Sequence, residues 1–155
     1  MTSVQVKFVD TYALRGAGDR LEVLALRRSH TGRCPGSWET IHGTIEPGET
    51  PVQASLRELR EETGLVPDKF YNVSRTEAFY QHRTDELALI PVFAAFVAPG
   101  ATFRLSAEHD RGEWLRVGEA ARRFAWPRER RALDDILSIV GGGDAGLLED
   151  VLRVS

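Results

Sequence analysis

The sequence predicts an α/β fold in which a mixed sheet lies between helices. Three observations predict it. Strand-like runs precede, separate and follow two helical segments, the pattern of a layered α/β domain. The first helical segment, Thr50 to Thr63, carries its own start and stop signals. A continuous apolar run, Leu87 to Val97, reads as a strand covered on both faces.

Taken in order, Val4–Tyr12 and Leu21–Leu26 read as strands joined by the turn-rich Arg-Gly-Ala-Gly-Asp, a hairpin. Trp38–His42 is a short extended piece after a polar loop. In the first helix Thr50 suits the N-cap, Pro51 the first helical position, and Gly64 a left-handed terminator. Phe70–Phe79 and Leu87–Val97 follow as strands, Glu113–Arg116 as a short one, and Pro127–Val140 as a second long helix. After Gly141-Gly142-Gly143, the tail 144–155 places Leu147, Leu148, Val151 and Leu152 at helical spacing, a helix expected to pack on the domain or on a second subunit. Residues 1–155 therefore read as a single domain with 144–155 as its C-terminal helical tail, and that tail is compatible with a homodimer.

Composition narrows the function. The 155 residues are 42% hydrophobic and 28% charged, a globular balance, and a chain this long buries roughly two-thirds of its unfolded surface. Twenty Lys and Arg stand against 23 Asp and Glu, a net charge of −3, so no global basic field exists to hold polymeric nucleic acid. Cys34 is the only cysteine, which rules out an internal disulfide and a multi-cysteine zinc site. The N-terminus lacks the basic and apolar regions of a signal peptide. The longest uncharged stretch, Leu87–Phe103, is interrupted by Pro91, Pro99 and Gly100 and is too short in its apolar part to span a bilayer. A soluble cytoplasmic protein without a membrane partner is expected.

Chemistry concentrates in Gly43–Leu65, GTIEPGETPVQASLRELREETGL. Glu46 and Glu49 lie in its loop and Glu58, Glu61 and Glu62 on its helix. At 100° per residue the helical glutamates share roughly a 100° arc, while Val52, Leu56, Leu59 and Thr63 centre about 140° away on the face that meets the sheet. Like charges at i,i+3 and i,i+4 repel, so this cluster breaks a local rule in the way functional sites do. A hard dication removes the repulsion: clustered carboxylates with water and substrate phosphates are what Mg²⁺ or Mn²⁺ accepts. Arg57, four residues before Glu61, is placed to hold a carboxylate in one rotamer. Gly43 and Gly48 let the loop turn sharply and approach a ligand. A solvated charged helix face is the alternative for the glutamates taken alone.

The segment resembles the Nudix box, the signature of the Nudix hydrolase family. Gly43, Glu49, Arg57, Glu58, Leu59, Glu61, Glu62, Gly64 and Leu65 fill every fixed position, a match expected by chance less than about once in 10⁸ starting points. Trp38 before the box, the PVFAAFV strand after it, and Glu108, His109 and Trp114 further on resemble the family too. The resemblance implies an α/β/α sandwich and an acid anhydride hydrolase that cleaves the pyrophosphate of a nucleoside diphosphate linked to another group X, using Mg²⁺ (or Mn²⁺). It implies Glu58 and Glu62 as metal ligands, Glu61 as a further ligand or an aid in activating water, Arg57 as the residue that positions the glutamates, and the backbone carbonyl of His42 as another ligand. Where the family often has Gly-Gly, this chain has His42-Gly43, and the His42 ring is expected to pack beside the loop.

Outside the box, Tyr80 is a candidate to stack on a substrate base and Glu108 a candidate general base or substrate contact from a later loop. Glu108-His109-Asp110 could suggest a metal site, but without a second histidine at ligand spacing the run is expected to be structural. Trp38, Trp114 and Trp126 are expected in the core, with any near the cleft able to stack on a base. Arg122, Arg123, Arg128, Arg130 and Arg131 form the one basic cluster, a solvated helix face or a field that steers anions. The expected partner is a small-molecule nucleotide. Nucleoside triphosphates or related nucleotides lead, because WETIHGTIEPGE and PVFAAF are closer to that branch. Dinucleoside polyphosphates, ADP-ribose-type substrates and a non-catalytic nucleotide sensor are the alternatives.

Overall fold

A computed structural model describes residues 1–155. Along the chain lie β1 (Ser3–Val6), β2 (Phe8–Arg15), β3 (Glu22–Arg28), β4 (Trp38–Glu39), β5 (Ile41–Thr44), α1 (Pro51–Thr63), β6 (Lys69–Gln81), β7 (Glu86–Phe96), β8 (His109–Arg116), α2 (Val117–Arg123), α3 (Pro127–Val140) and α4 (Glu149–Leu152). The sheet is mixed: β7 runs parallel to β1 and β2 and antiparallel to β6, whereas β2 pairs antiparallel with β3 and β5, and β3 with β4 and β8.

Period-two alternation divides the core into two layers. Val9, Ala13, Leu24, Leu26, Ile41 and Phe93 face α1 and pack on Ala54 and Leu59. The alternate positions Tyr12, Leu14, Val23, Ala25 and Ala94 face α2 and α3, meeting Ala120, Phe124, Ala132, Leu133 and Ile136. This is the expected sandwich, and β7 is apolar throughout its second half because it feeds both layers. The α1 signals operate as read. The Thr50 hydroxyl accepts from the Gln53 amide, the Gln53 side chain accepts from the Thr50 amide, and Gly64 ends the helix at φ 74°.

Several elements differ from the sequence reading. Val4–Tyr12 is two strands, interrupted at Lys7, because the register slips by one residue between Val6↔Leu89 and Asp10↔Val92, where the partner strand carries Pro91 with no N–H to give. Strand β8 begins at His109, four residues earlier than predicted. Helix α2 was not visible in the sequence: only Val117 and Ala120 of its seven residues are buried, too few to set up a periodic pattern. The tail is not one helix but a 3₁₀ turn, Gly146–Leu148, followed by the single turn of α4. Its last residues then join the sheet edge, where Phe70 N–H donates to the Ser155 carbonyl and Val154 N–H to the Phe70 carbonyl. Of Leu147, Leu148, Val151 and Leu152 only Leu152 is buried. No helix is long and apolar enough to cross a membrane.

Candidate active site

Strand β5 and helix α1 build the acidic side. Gly43 points toward α1, and a Cβ there would lie 2.2 Å from Glu58 Cγ and 2.3 Å from its Cδ, so only glycine lets the Glu58 carboxylate lie over the strand. Arg57 is the hub of the loop and helix. Its Nε and Nη2 donate to the two oxygens of Glu49 at 2.6 and 2.9 Å, Nη1 to Glu58 at 2.8 Å and Glu61 at 3.2 Å, and Nη2 also to the Thr44 carbonyl at 2.9 Å. The fork geometry fixes three carboxylates and one carbonyl with a single permanent cation. Its hydrogen bonds hold the Glu49 carboxyl down at about 2 and the Arg57 guanidinium above its ordinary value.

Glu62 is different. It is 3% exposed, and neither carboxylate oxygen has a hydrogen-bond partner. Burial first, then the neighbouring Glu108, Glu58 and Glu39, push its carboxyl up to about 10. Glu58 is raised for the same first reason, against the pull of Arg57. Carboxylate oxygens of Glu62 and Glu108 and a ring nitrogen of His109 lie within 4.8 Å of one another. A buried carboxylate with no partner is costly unless a cation is supplied. The oxygen-rich donor set, the orphaned Glu62 oxygens and the glycine cradle under Glu58 fit a hard divalent ion such as Mg²⁺ or Mn²⁺. Glu61 stands at the solvent edge, its side chain 58% exposed.

The other side of β5 faces a cleft of about 700 Å³, within the range of small-molecule sites. Phe8, His42, Phe79 and Trp126 form its aromatic lining, and Arg28, Arg33, Arg128 and Arg131 its cationic one. Phe8 stacks on Phe79 with ring centroids 6.0 Å apart and lies 5.1 Å from the His42 ring. Beneath them the fully buried Asp10 accepts from His42 Nδ1 at 2.7 Å and from Arg128 Nε at 2.8 Å. Burial raises the Asp10 carboxyl, but His42 and Arg128 outweigh it and hold it below its usual value. Glu129, buried nearby, accepts from the amides of Thr40 and Trp126, yet burial leaves its carboxyl raised to about 8.

The predicted residues therefore separate. Glu58, Glu62 and the backbone of β5 come together, with Arg57 bracing Glu58 and the Thr44 carbonyl and Glu61 at the rim. Glu108 sits on the acidic side, within 4.8 Å of Glu62, and is not among the residues that line the cleft. Tyr80 donates its hydroxyl to Asp85 at 2.8 Å, while its neighbour Phe79 lines the cleft. Trp126 is 42% exposed at the cleft rather than in the core, while Trp38 and Trp114 are partly buried against the two core layers. The basic cluster splits: Arg128 and Arg131 line the cleft, whereas Arg123 pairs with Glu113 and Glu119. Sequence reasoning missed Phe8, Phe79, Asp10 and Glu39, for which a single chain gave no spacing signal.

The chain is similar to known proteins in sequence and in fold. The NUDIX domain family matches residues 8–136. A protein of Myxococcus xanthus named octanoyltransferase is 37% identical over 120 residues, 77% of this chain but only 33% of that one, so the chain spans about a third of its length. Among solved structures, an Ap4A hydrolase of C. elegans in a binary complex superposes with a TM-score of 0.73 at 21% identity, over 89% of this chain and 99% of that chain. A MutT protein from Methanosarcina mazei superposes with a TM-score of 0.63 at 26% identity, over 88% and 94%. With the family match running from the first cleft residue into α3 and the box intact on a sandwich of the same fold, the chain belongs to the Nudix hydrolase family.

Proposed function

We propose that this protein is a Mg²⁺- or Mn²⁺-dependent pyrophosphohydrolase of nucleoside triphosphates or related nucleotides, with residues 1–155 acting as one catalytic unit in the cytoplasm. The observation that carries the reading is the Glu62 carboxylate, buried and unpartnered near Glu58, Glu108 and Glu39, the last of which also lines the cleft of aromatic rings and arginines. In this reading Glu58, Glu62, Glu108 and the His42 carbonyl hold the ion. When bound, the ion neutralises the pyrophosphate and makes a water acidic enough to attack phosphorus. Arg57 keeps Glu58 and Glu61 in fixed rotamers, and Glu61, still open to solvent, takes the proton from the attacking water. Phe8, Phe79 and Trp126 hold the base, and Arg128 and Arg131 favour an anionic ligand.

Hydrolysis of dinucleoside polyphosphates is the second reading, favoured by the likeness to the C. elegans Ap4A hydrolase. A nucleotide sensor is disfavoured because every box glutamate is present. The test is a nucleotide panel with Mg²⁺, products identified by mass, and solvent ¹⁸O to locate the attacked phosphorus. Pyrophosphate or phosphate release from triphosphates supports the proposal. Tight nucleotide binding with no turnover on any substrate overturns it in favour of a sensor.

A further inference from the structure

The sequence assigns His109 to structure, but its surroundings ask for more. At the start of β8, opposite Arg28 across a register shift, its side chain is wholly inaccessible to solvent. Its Nε2 lies 2.9 Å from Glu39 Oε2, and the same oxygen accepts from Arg28 Nη1 at 3.1 Å. Arg28 is a permanent cation, itself anchored through Nε to the Arg33 carbonyl, so Glu39 is held as an acceptor. With Glu39 as acceptor the ring hydrogen sits on Nε2, and in the neutral ring Nδ1 keeps its lone pair. That Nδ1 is buried and has no partner. Both Glu62 oxygens, also buried, have none either. The buried Nδ1 and Glu62 oxygens thus have no partner in the protein, and a ring nitrogen of His109 lies within 4.8 Å of carboxylate oxygens of Glu62 and Glu108, an arrangement that one cation would satisfy. The Glu39–His109 contact is the carboxylate–histidine arrangement that fixes a metal-binding tautomer.

We propose that His109 Nδ1 is a nitrogen ligand of the divalent cation held by Glu62 and Glu108, with Glu39 and Arg28 as the pair that positions it. This rests on the metal reading above and departs from the all-oxygen ligand set that the family resemblance implies. An imidazole in the set favours Mn²⁺ over Mg²⁺, because Mg²⁺ prefers carboxylate, carbonyl and water while borderline ions accept nitrogen.

The test is pulsed electron paramagnetic resonance of the whole chain loaded with Mn²⁺, prepared with ¹⁴N- or ¹⁵N-histidine. A nitrogen coupling that changes with the isotope and disappears in His109→Gln is expected. Titration calorimetry of that variant should show Mn²⁺ affinity falling about 10- to 100-fold while Mg²⁺ affinity falls less than about threefold. Glu39→Gln, which keeps the imidazole but alters its orienting partner, should weaken Mn²⁺ by a smaller factor. Bound Mn²⁺ with no histidine coupling in the unaltered protein overturns the proposal without needing any variant to fold. So does a coupling that survives in His109→Gln, or an equal loss of Mn²⁺ and Mg²⁺, which marks a purely structural side chain. Failure of the unaltered protein to bind Mn²⁺ at all overturns the metal reading itself.

Discussion

Two buried acids lie on opposite sides of strand β5, and they are handled in opposite ways. Asp10, on the cleft side, is fully buried and answered by His42 and Arg128. Glu62, on the α1 side, is equally inaccessible and answered by nothing the chain supplies. The consequence appears in their proton affinities, one held below its usual value and the other pushed up to about 10. A buried acid with its own cation is architecture. A buried acid without one has been left for a ligand to complete.

The largest effects come from removing each charge in turn. Glu62→Gln should lower kcat/KM by roughly 100- to 1,000-fold, a loss of about 3–4 kcal/mol of transition-state stabilisation, while the metal-free fold keeps or gains stability. Asp10→Asn should do the reverse to the fold, costing about 3 kcal/mol or more in denaturant melts because Arg128 is left buried beside a neutral partner. Equal destabilisation by the two variants would erase the distinction. Gly43→Ala tests the acidic side sterically. The new methyl collides with Glu58, so turnover should fall at least tenfold while stability drops only about 1–3 kcal/mol.

The same contrast sets a pH dependence. In the metal-free folded protein Glu62 keeps its proton up to about pH 10 and Glu129 up to about pH 8, whereas the unfolded chain releases both near 4.5. The folded state therefore binds more protons across that window, and stability should fall as pH rises from about 5 toward 8 and beyond. Asp10 has the opposite sign: its contribution is present above its unfolded value and is lost as acid protonates it. Thermal melts in EDTA from pH 5 to 9 read this slope. Adding Mg²⁺ should raise the melting temperature more at pH 9 than at pH 6, since the ion displaces the protons that the site otherwise holds. A metal shift independent of pH would count against Glu62 as a ligand.

How much of this was legible in the sequence follows from the range of the interactions. Helix α1 was legible to its caps, because Thr50, Gln53, Pro51 and Gly64 act on residues within four positions. The acidic cluster was legible because helical spacing converts directly into a shared face. The cleft was not. Asp10 meets Arg128 across 118 positions and His109 meets Glu39 across 70, pairings that strand order creates and no local pattern announces. The tail misled for a related reason: helical spacing of Leu147, Leu148, Val151 and Leu152 predicted one packed face, but the sheet edge at Phe70 captured the final residues and left Leu147 and Val151 exposed.

The smallest effects separate two adjacent residues of β6. Phe79 and Tyr80 point to opposite faces of a strand, as neighbours must. Phe79 stacks on Phe8 in the cleft wall, and Tyr80 reaches only Asp85 at the surface. In the proposed reaction Phe79→Ala should raise KM about 3- to 10-fold with little change in kcat, the value of one lost stacking surface at about 1 kcal/mol. Trp126→Ala, across the cleft, should act in the same direction. Tyr80→Ala should change KM less than twofold, because the ring it removes is exposed and its hydroxyl meets Asp85 away from the cleft lining. A KM defect in Tyr80→Ala as large as that in Phe79→Ala would place the base on the other face of the sheet and move the substrate away from Asp10, His42 and Arg128.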